Sequence, residues 1–276
     1  MESAPAARVD LLDGFALQLG TSHQEEADVL PRGIQRLVAH LSLACRPART
    51  AIAGLLWPNV PEHHANGSLR SALWRLQRIA PGLIRMHGDT LSLAEGVQVD
   101  VRELAGWARR VRDPESCLDE LSTTDLRLGG ELLPGWFDDW VLLERERLRQ
   151  LRMHALESLA YRLAAAQRYG EAVQAAHAAV LAEPLRESAH RAVVRVHLAE
   201  GNVGEAARAY DAFRTMLADE LGIAPTRQMS DLLPGLPDRW WSAQRRPAAA
   251  VEERDPDGRD AVVTASRDRG DRRRAG

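Results

Sequence analysis

The sequence contains no lysine. All 36 of its basic side chains are therefore arginines, whose planar guanidinium groups suit bidentate contact with phosphate or guanine. A GC-rich coding bias towards arginine and alanine explains the missing lysine more simply than any function does. The absence alone indicates nothing, and only the positions of the arginines carry information.

Cysteine and long apolar runs are also scarce. Cys45 and Cys117 are the only two cysteines, and their spacing matches neither a disulfide framework nor a paired metal-ligand motif. No run of about 18 apolar residues is present, and the first residues lack the basic and apolar regions of a signal peptide. We expect reduced thiols, a cytoplasmic location and no membrane association.

The motifs of common enzyme classes are missing as well. The sequence has no Walker A loop, glycine-rich dinucleotide loop, nucleophile elbow or paired catalytic carboxylates. Glu62-His63-His64 superficially suggests a metal site, but adjacent helical residues point about 100° apart and no third ligand accompanies them. We therefore expect a protein that is not an enzyme and that has no cofactor or metal site.

Charge is distributed unevenly. The net charge of −3 does not by itself favour nucleic acid as a partner. The segment from residue 31 to residue 100 is nevertheless basic, because only four carboxylates stand there against Arg32, Arg36, Arg46, Arg49, Arg70, Arg75, Arg78 and Arg85. The acidic excess lies elsewhere in the chain.

Short elements open the sequence. Residues 8–20 contain two apolar runs that Asp13-Gly14 separates, a pattern typical of a strand-turn-strand unit. Apolar residues at helical spacing after Pro31 predict a first helix that stops near Arg46-Pro47. A small sheet on which helices pack is the expected result.

Two more helices and a hairpin follow. Thr50 is placed to cap a second helix over residues 51–57, Pro61 begins a third, and residues 83–93 resemble a hairpin. Three closely spaced helices with a hairpin match a helix-turn-helix with an added wing, in which the second helix of the pair enters the major groove of DNA.

The third helix has an apolar stripe and an arginine-bearing face. At helical spacing the stripe contains Ala65, Leu69, Ala72, Leu73 and Leu76. The opposite face carries Gly67, Arg70, Ser71, Trp74, Arg75 and Arg78. In an isolated helix this would be a solvated surface, but the neighbouring helices and hairpin favour contact with DNA.

Residue type suggests the role of each DNA contact. Arg70 and Arg75 are expected to reach base edges in the groove, and Arg78 is expected to bind a phosphate. Ser71 and Asn66 are weaker candidates for either kind of contact.

Further candidates lie outside this helix face. In the hairpin, Arg85 and His87 are placed to reach the minor groove or the DNA backbone. Arg32, Arg36 and Arg49 are candidate clamps on the backbone, although surface solvation explains them nearly as well.

Trp74 is an unusual residue for the middle of an arginine-bearing face. It is expected to stack on sugars or thymine methyl groups, or else to pack against the wing or the second domain. The sequence leaves both alternatives open.

After the hairpin the pattern is helical. Predicted helices cover Val101–Val111, Pro114–Ser122 and a long segment that opens at Leu133. Gly170-Glu171-Ala172 recurs as Gly204-Glu205-Ala206, a spacing of 34 residues, which is the tetratricopeptide period. Stacked pairs of antiparallel helices are therefore expected.

The predicted chain is mainly α and has three parts. Residues 1–101 form a winged helix-turn-helix domain of the α+β type, and residues 102–236 form an all-α domain of tetratricopeptide-like helical repeats. Residues 237–276 contain few large apolar groups, so we expect a disordered tail.

Several motifs resemble a known family. Residues 30–41, 53–58 and 68–76 read LPRGIQRLVAHL, AGLLWP and SLRSALWRL, and they resemble the winged-helix domain of the Streptomyces antibiotic regulatory proteins. Residues 133–140 and 182–187 read LPGWFDDW and AEPLRE, and they resemble the bacterial transcriptional activator domain that follows it in that family.

The resemblance implies a function. It implies an activator that binds double-stranded DNA at direct repeats upstream of a promoter and recruits RNA polymerase. In this hypothesis the helical repeat domain supports a homodimer on DNA, activation contacts or both. Larger members of the family add an ATPase module, for which this sequence has no phosphate-binding loop.

A second hypothesis belongs to another class of protein. The chain would be a tetratricopeptide-type interaction adaptor whose degenerate winged helix contacts other proteins. Such a domain should lack an arginine cluster on its third helix. The arginines are present, and they favour DNA.

Overall fold

A computed structural model describes residues 7–20, 30–121 and 130–234. The strands are β1 (Ala7–Asp10), β2 (Ala16–Leu19), β3 (Ile84–His87), β4 (Thr90–Leu93) and β5 (Gln98–Val99). The α-helices are α1 (Arg32–Leu43), α2 (Arg49–Leu56), α3 (Glu62–Ile79), α4 (Asp100–Arg112), α5 (Asp139–Ala165), α6 (Tyr169–Ala182), α7 (Glu187–Glu200), α8 (Val203–Leu221) and α9 (Arg227–Ser230). The expected disordered tail, residues 237–276, lies outside the described residues.

The first sheet has the strand order β2-β1-β5. Strand β1 is antiparallel to β2, pairing Val9 with Leu17, and parallel to β5, pairing Val9 with Val99. The strand-turn-strand prediction is confirmed. The sequence pattern did not predict the third strand, β5, which completes the sheet. A strand of two residues is too short for alternating hydrophobicity to reveal.

The three helices and the hairpin have the predicted order. Pro31 and Pro61 immediately precede α1 and α3. Thr50 does not cap α2, because that helix already begins at Arg49. The backbone N–H of Arg49 donates to the carbonyl oxygen of Asp89 at 2.9 Å. The wing therefore supplies the acceptor that a capping side chain would otherwise provide.

One predicted helix is largely absent. Over its described residues, Pro114–Ser122 forms a turn and then a short 3-10 helix, Leu118–Leu121. The side chain of Asp113 accepts the backbone N–H of Glu115 at 3.1 Å, and the Asp113 carbonyl accepts a hydrogen bond from the Arg162 guanidinium at 2.7 Å. These bonds offer the backbone an alternative to the helical pattern.

The 34-residue repeat corresponds to equivalent helices. Gly170 is the second residue of α6, and Gly204 is the second residue of α8. Helix α8 ends at Gly222, whose φ of 67° places it in the left-handed region that glycine adopts without strain. A mainly helical chain with an N-terminal winged helix and following helical repeats is confirmed.

Asp100 joins the two halves of the chain. It is only 4% exposed. Its Oδ2 accepts the backbone N–H groups of Leu11 and Leu12, each at 2.8 Å, and its Oδ1 accepts that of Val101 at 2.6 Å. Burial raises the pKa of Asp100, and these three N–H donors limit the rise. The end of β1 is thereby fixed to the start of α4.

Helix α1 contacts the segment that precedes α5. The guanidinium carbon of Arg32 lies 3.7 Å from the centroid of the Trp136 ring, and Arg36 forms an ion pair with Asp138. The expectation that Arg32 and Arg36 clamp the DNA backbone is therefore not supported. Both side chains contact residues of the protein itself that lie about 100 positions away in sequence, although Arg32 remains exposed at the surface.

A histidine extends this junction between α1 and the helical domain. His40 packs edge-on against Trp140, with ring centroids 5.5 Å apart. Burial lowers the pKa of His40 below its ordinary value of 6.5, which favours the neutral ring. The buried apolar side chains of both halves form one continuous core around these contacts.

Replacing Asp100 tests the first of these connections. In Asp100→Asn, the amide oxygen is the only side-chain atom that still accepts hydrogen bonds. At least one buried backbone N–H therefore loses its partner. We expect the free energy of unfolding to fall by about 1–3 kcal/mol in urea denaturation. Glu95→Gln, which changes an exposed carboxylate, should alter it by less than about 0.5 kcal/mol. Equal effects of the two substitutions would contradict this role for Asp100.

The acid sensitivity of the junction depends on His40. Because its pKa is lowered in the folded state, its contribution to stability is present above pH 6.5 and is lost as the pH falls through the lower folded value. The free energy of unfolding should therefore fall less in His40→Phe than in the parent between about pH 7.5 and 5.5. His154→Gln, which changes an exposed histidine, is the control variant, and its free energy of unfolding should change with pH as much as that of the parent. Identical slopes for parent and His40→Phe would refute the prediction.

Candidate nucleic-acid interface

Helix α3 buries one face and exposes the other. Ala65, Leu69, Ala72 and Leu76 are buried against the core. The exposed face carries predicted site residues, namely Arg70, Ser71, Trp74, Arg75 and Arg78. Asn66, near the start of the helix, is half-buried. The structure therefore brings the predicted arginines of α3 together on one surface.

The arginines of this face have no acidic partner. Among the described residues, none of Arg70, Arg75 and Arg78 takes part in an ion pair. In the helical domain, by contrast, many arginines pair with a carboxylate three residues away, as Arg147 does with Glu144 at 2.7 Å. The guanidinium groups of α3 thus keep their charge available to a ligand.

A groove runs beside this face. It has a volume of about 600 Å³, and its lining includes Arg70, Ser71, Arg75, His63 and His64 but no carboxylate. Such a lining attracts anions. His63 and His64 were not predicted as site residues. Their position about two turns before Arg70 and Ser71, at spacings of seven, is the signal that identifies them.

The two histidines approach each other more closely than expected. Their ring centroids are 4.1 Å apart, although successive helical residues start about 100° apart. No group of three or more His, Cys, Asp or Glu side chains in the described parts of the chain is arranged to hold a metal ion.

Ser71 and Trp74 differ in the contacts that their side chains make within the protein. The Ser71 hydroxyl donates to the carbonyl oxygen of Gly67 at 3.0 Å, so it can still accept a hydrogen bond. Trp74 is 61% exposed, which means that neither the wing nor the helical domain buries it. The guanidinium carbon of Arg78 lies 5.0 Å from the centroid of its ring.

The wing residues line a separate groove. Arg85 and His87 are exposed on β3, and they share this second groove with Cys45, Arg46 and Arg102. They do not line the groove beside α3. The structure thus divides the predicted residues between two surfaces of the same domain.

Arg49 lies where α2 meets the wing. It is half-buried, and its Nη1 donates to the sulfur of Met86 at 3.4 Å. Met86 was not predicted, yet it is 64% exposed. Its position on β3 between the two predicted site residues Arg85 and His87 is the only sequence signal that identifies it as a neighbour of the site.

Comparison with known proteins identifies the family. Residues 100–234 match the family described as bacterial transcriptional activator domain. Over 204 residues the chain is 29% identical to the regulatory protein AfsR of Streptomyces coelicolor, covering 69% of this chain. Residues 100–234 therefore belong to this domain family, and the likeness to AfsR supports the resemblance of the chain to the Streptomyces antibiotic regulatory proteins. Both findings support a transcriptional regulator.

The match to AfsR covers only 20% of that protein's length. A solved structure, Mycobacterium tuberculosis EmbR in complex with low affinity phosphopeptide, shares the fold of this chain with a TM-score of 0.61. The two are 17% identical, over 83% of this chain and 64% of the EmbR chain. This likeness concerns the fold alone. In the described part of the chain, none of the helices is both long and apolar enough to cross a membrane.

The α3 arginines should be dispensable for folding. Arg70, Arg75 and Arg78 have no ion pair among the described residues, and Arg78 makes an exposed cation–π contact with Trp74. Replacing all three by Gln should therefore change the free energy of unfolding by less than about 1 kcal/mol. Arg36→Gln removes the ion pair with Asp138 and should cost about 1–2 kcal/mol. Thermal and urea denaturation measure both. A triple variant less stable than Arg36→Gln would show that the α3 face is structural.

Proposed function

We propose that this chain is a sequence-specific DNA-binding transcriptional activator. In this proposal residues 1–101 bind the operator, and residues 102–236 contact RNA polymerase. The observation that carries it is the exposed face of α3, where Arg70, Arg75 and Arg78 have no carboxylate partner in the described chain. Family membership supports the regulatory part of the proposal.

The proposal assigns base contacts to some residues of α3 and phosphate contacts to others. Arg70 and Arg75 are assigned to base edges in the major groove, where a guanidinium can bind guanine through two hydrogen bonds. Ser71 and Asn66 are secondary base or phosphate contacts. Arg78 is assigned to phosphate, where each contact releases counterions and adds affinity without sequence preference.

The wing supplies contacts outside the recognition helix. Arg85 and His87, which lie in their own groove, are assigned to the backbone or minor groove beside the major-groove site. Arg49 is assigned to phosphate, because it lies at the start of α2, whose N-terminal dipole favours an anion. All of these residues belong to one compact unit of the chain, and in this proposal they contact one duplex together.

The arrangement of two copies on DNA follows from the operator. The family resemblance favours direct repeats, on which two copies bind in the same orientation and contact each other head to tail. Selection of bound duplexes from a random pool tests this point. Enriched direct repeats support tandem binding, whereas an enriched palindrome points to a two-fold dimer instead.

The selected operator allows the α3 arginines to be tested. Arg75→Ala should weaken specific binding by about 1–3 kcal/mol and relax the preference at one base pair. Arg78→Ala should weaken binding to all sequences and reduce the slope of log affinity against log salt by about 0.9. Arg112→Ala, an exposed arginine on α4, is the matched control and should change neither quantity. Salt-titrated binding measurements give all of these values.

Two results would count against the proposal. Equal operator affinity of the parent and Arg75→Ala at every salt concentration would remove the recognition role of α3. An absence of salt-sensitive binding to random duplexes at low salt would favour the interaction-adaptor hypothesis.

A further inference from the structure

We propose that Trp74 determines part of the operator sequence by contacting the C5-methyl group of a thymine in the major groove. This inference rests on the proposed function, since it requires α3 to enter that groove. It assigns a specificity role to an apolar side chain, in addition to the hydrogen-bonding residues around it.

The exposure of Trp74 is the first observation. An indole ring that is 61% exposed leaves a large apolar surface in water, and a ligand that covers this surface gains favourable free energy of binding. Ile79, the last residue of this helix, is also exposed, at 41%, but the turns around Trp74 follow the usual division, with apolar residues buried and charged residues exposed. Trp74 is the most exposed apolar residue of the helix, and it lies in the middle of the charged face.

The groups around the Trp74 ring limit the kinds of ligand that can bind there. Ser71, Trp74, Arg75 and Arg78 lie at positions i, i+3, i+4 and i+7, and therefore form one stripe along α3. The Arg78 guanidinium covers one face of the ring, 5.0 Å from its centroid, in a cation–π contact. The ligand must therefore meet the other face or the edge of the ring while accepting cationic neighbours.

The major groove offers one apolar feature that fits. Bases inside an intact duplex are stacked on each other, so the ring cannot stack on them without disrupting the helix. Thymine, however, presents its methyl group in the groove, and apolar side chains contact it there. A protein partner with an apolar surface would have to place acidic groups beside Arg75 and Arg78. DNA presents its phosphates on both sides of the groove in any case.

Deoxyuridine substitution tests the contact directly, because it removes only the methyl group. Each thymine of the selected operator is replaced singly by deoxyuridine, and affinity is measured for the parent, Trp74→Ala and Met86→Ala. We expect the parent to lose about fourfold at one position per half-site. Trp74→Ala should bind the thymine duplex and the deoxyuridine duplex at that position with equal affinity. Met86→Ala removes an exposed apolar side chain of the wing, and it should lose about as much affinity on deoxyuridine substitution as the parent does.

The outcomes separate this inference from the proposed function. If the parent shows no specific, salt-sensitive binding, the proposed function fails and the inference fails with it. If the parent binds its operator but no deoxyuridine substitution weakens binding, or if the loss persists in Trp74→Ala, only the inference is overturned. A uniform weakening of all duplexes in Trp74→Ala, with no dependence on thymine, also overturns it and indicates contact with the sugar-phosphate backbone. Unchanged thermal unfolding of Trp74→Ala verifies that the variant is folded.

Discussion

The fold depends on one buried carboxylate. Asp100 satisfies two backbone N–H groups at the end of β1 and one in the first turn of α4, and these groups are far from water. Such a residue cannot be exchanged freely, because each buried N–H needs an acceptor. A side chain at the boundary between the two halves of the chain thus decides how the first sheet meets the helical domain.

In a chain without lysine, the position of each carboxylate decides what an arginine does. Arg168 lies three residues before Glu171 and pairs with it, as expected for a solvated helix surface. Arg162 and Arg102 instead donate to carbonyl oxygens, such as those of Val111 and Ser42, at the ends of helices. The arginines of α3 have neither kind of partner among the described residues. They differ from the others by their neighbours and not by their chemistry.

Local patterns in the sequence predicted the elements, and distant contacts account for the rest. The apolar stripe of α3 and the 34-residue repeat depend on neighbours within a few turns, so periodicity was sufficient to find them. The ion pair of Arg36 could not be found in this way. Its partner, Asp138, lies 102 residues away, and no periodicity connects them. The same holds for the acceptor that Asp89 offers at the start of α2. The separation of Arg85 and His87 from the α3 groove also depends on where the hairpin folds against the end of α1, which only the three-dimensional structure specifies.

The contacts of α1 with Trp136, Asp138 and Trp140 fix the helical domain relative to α1 and the helices packed on it, which include α3. A flexible linker would let the helical domain lie in either direction along a duplex. This junction allows only one of the two directions. Under the proposed function, an operator would therefore carry polarity as well as sequence. The same bases written in the reverse direction would turn the helical domain away from the promoter.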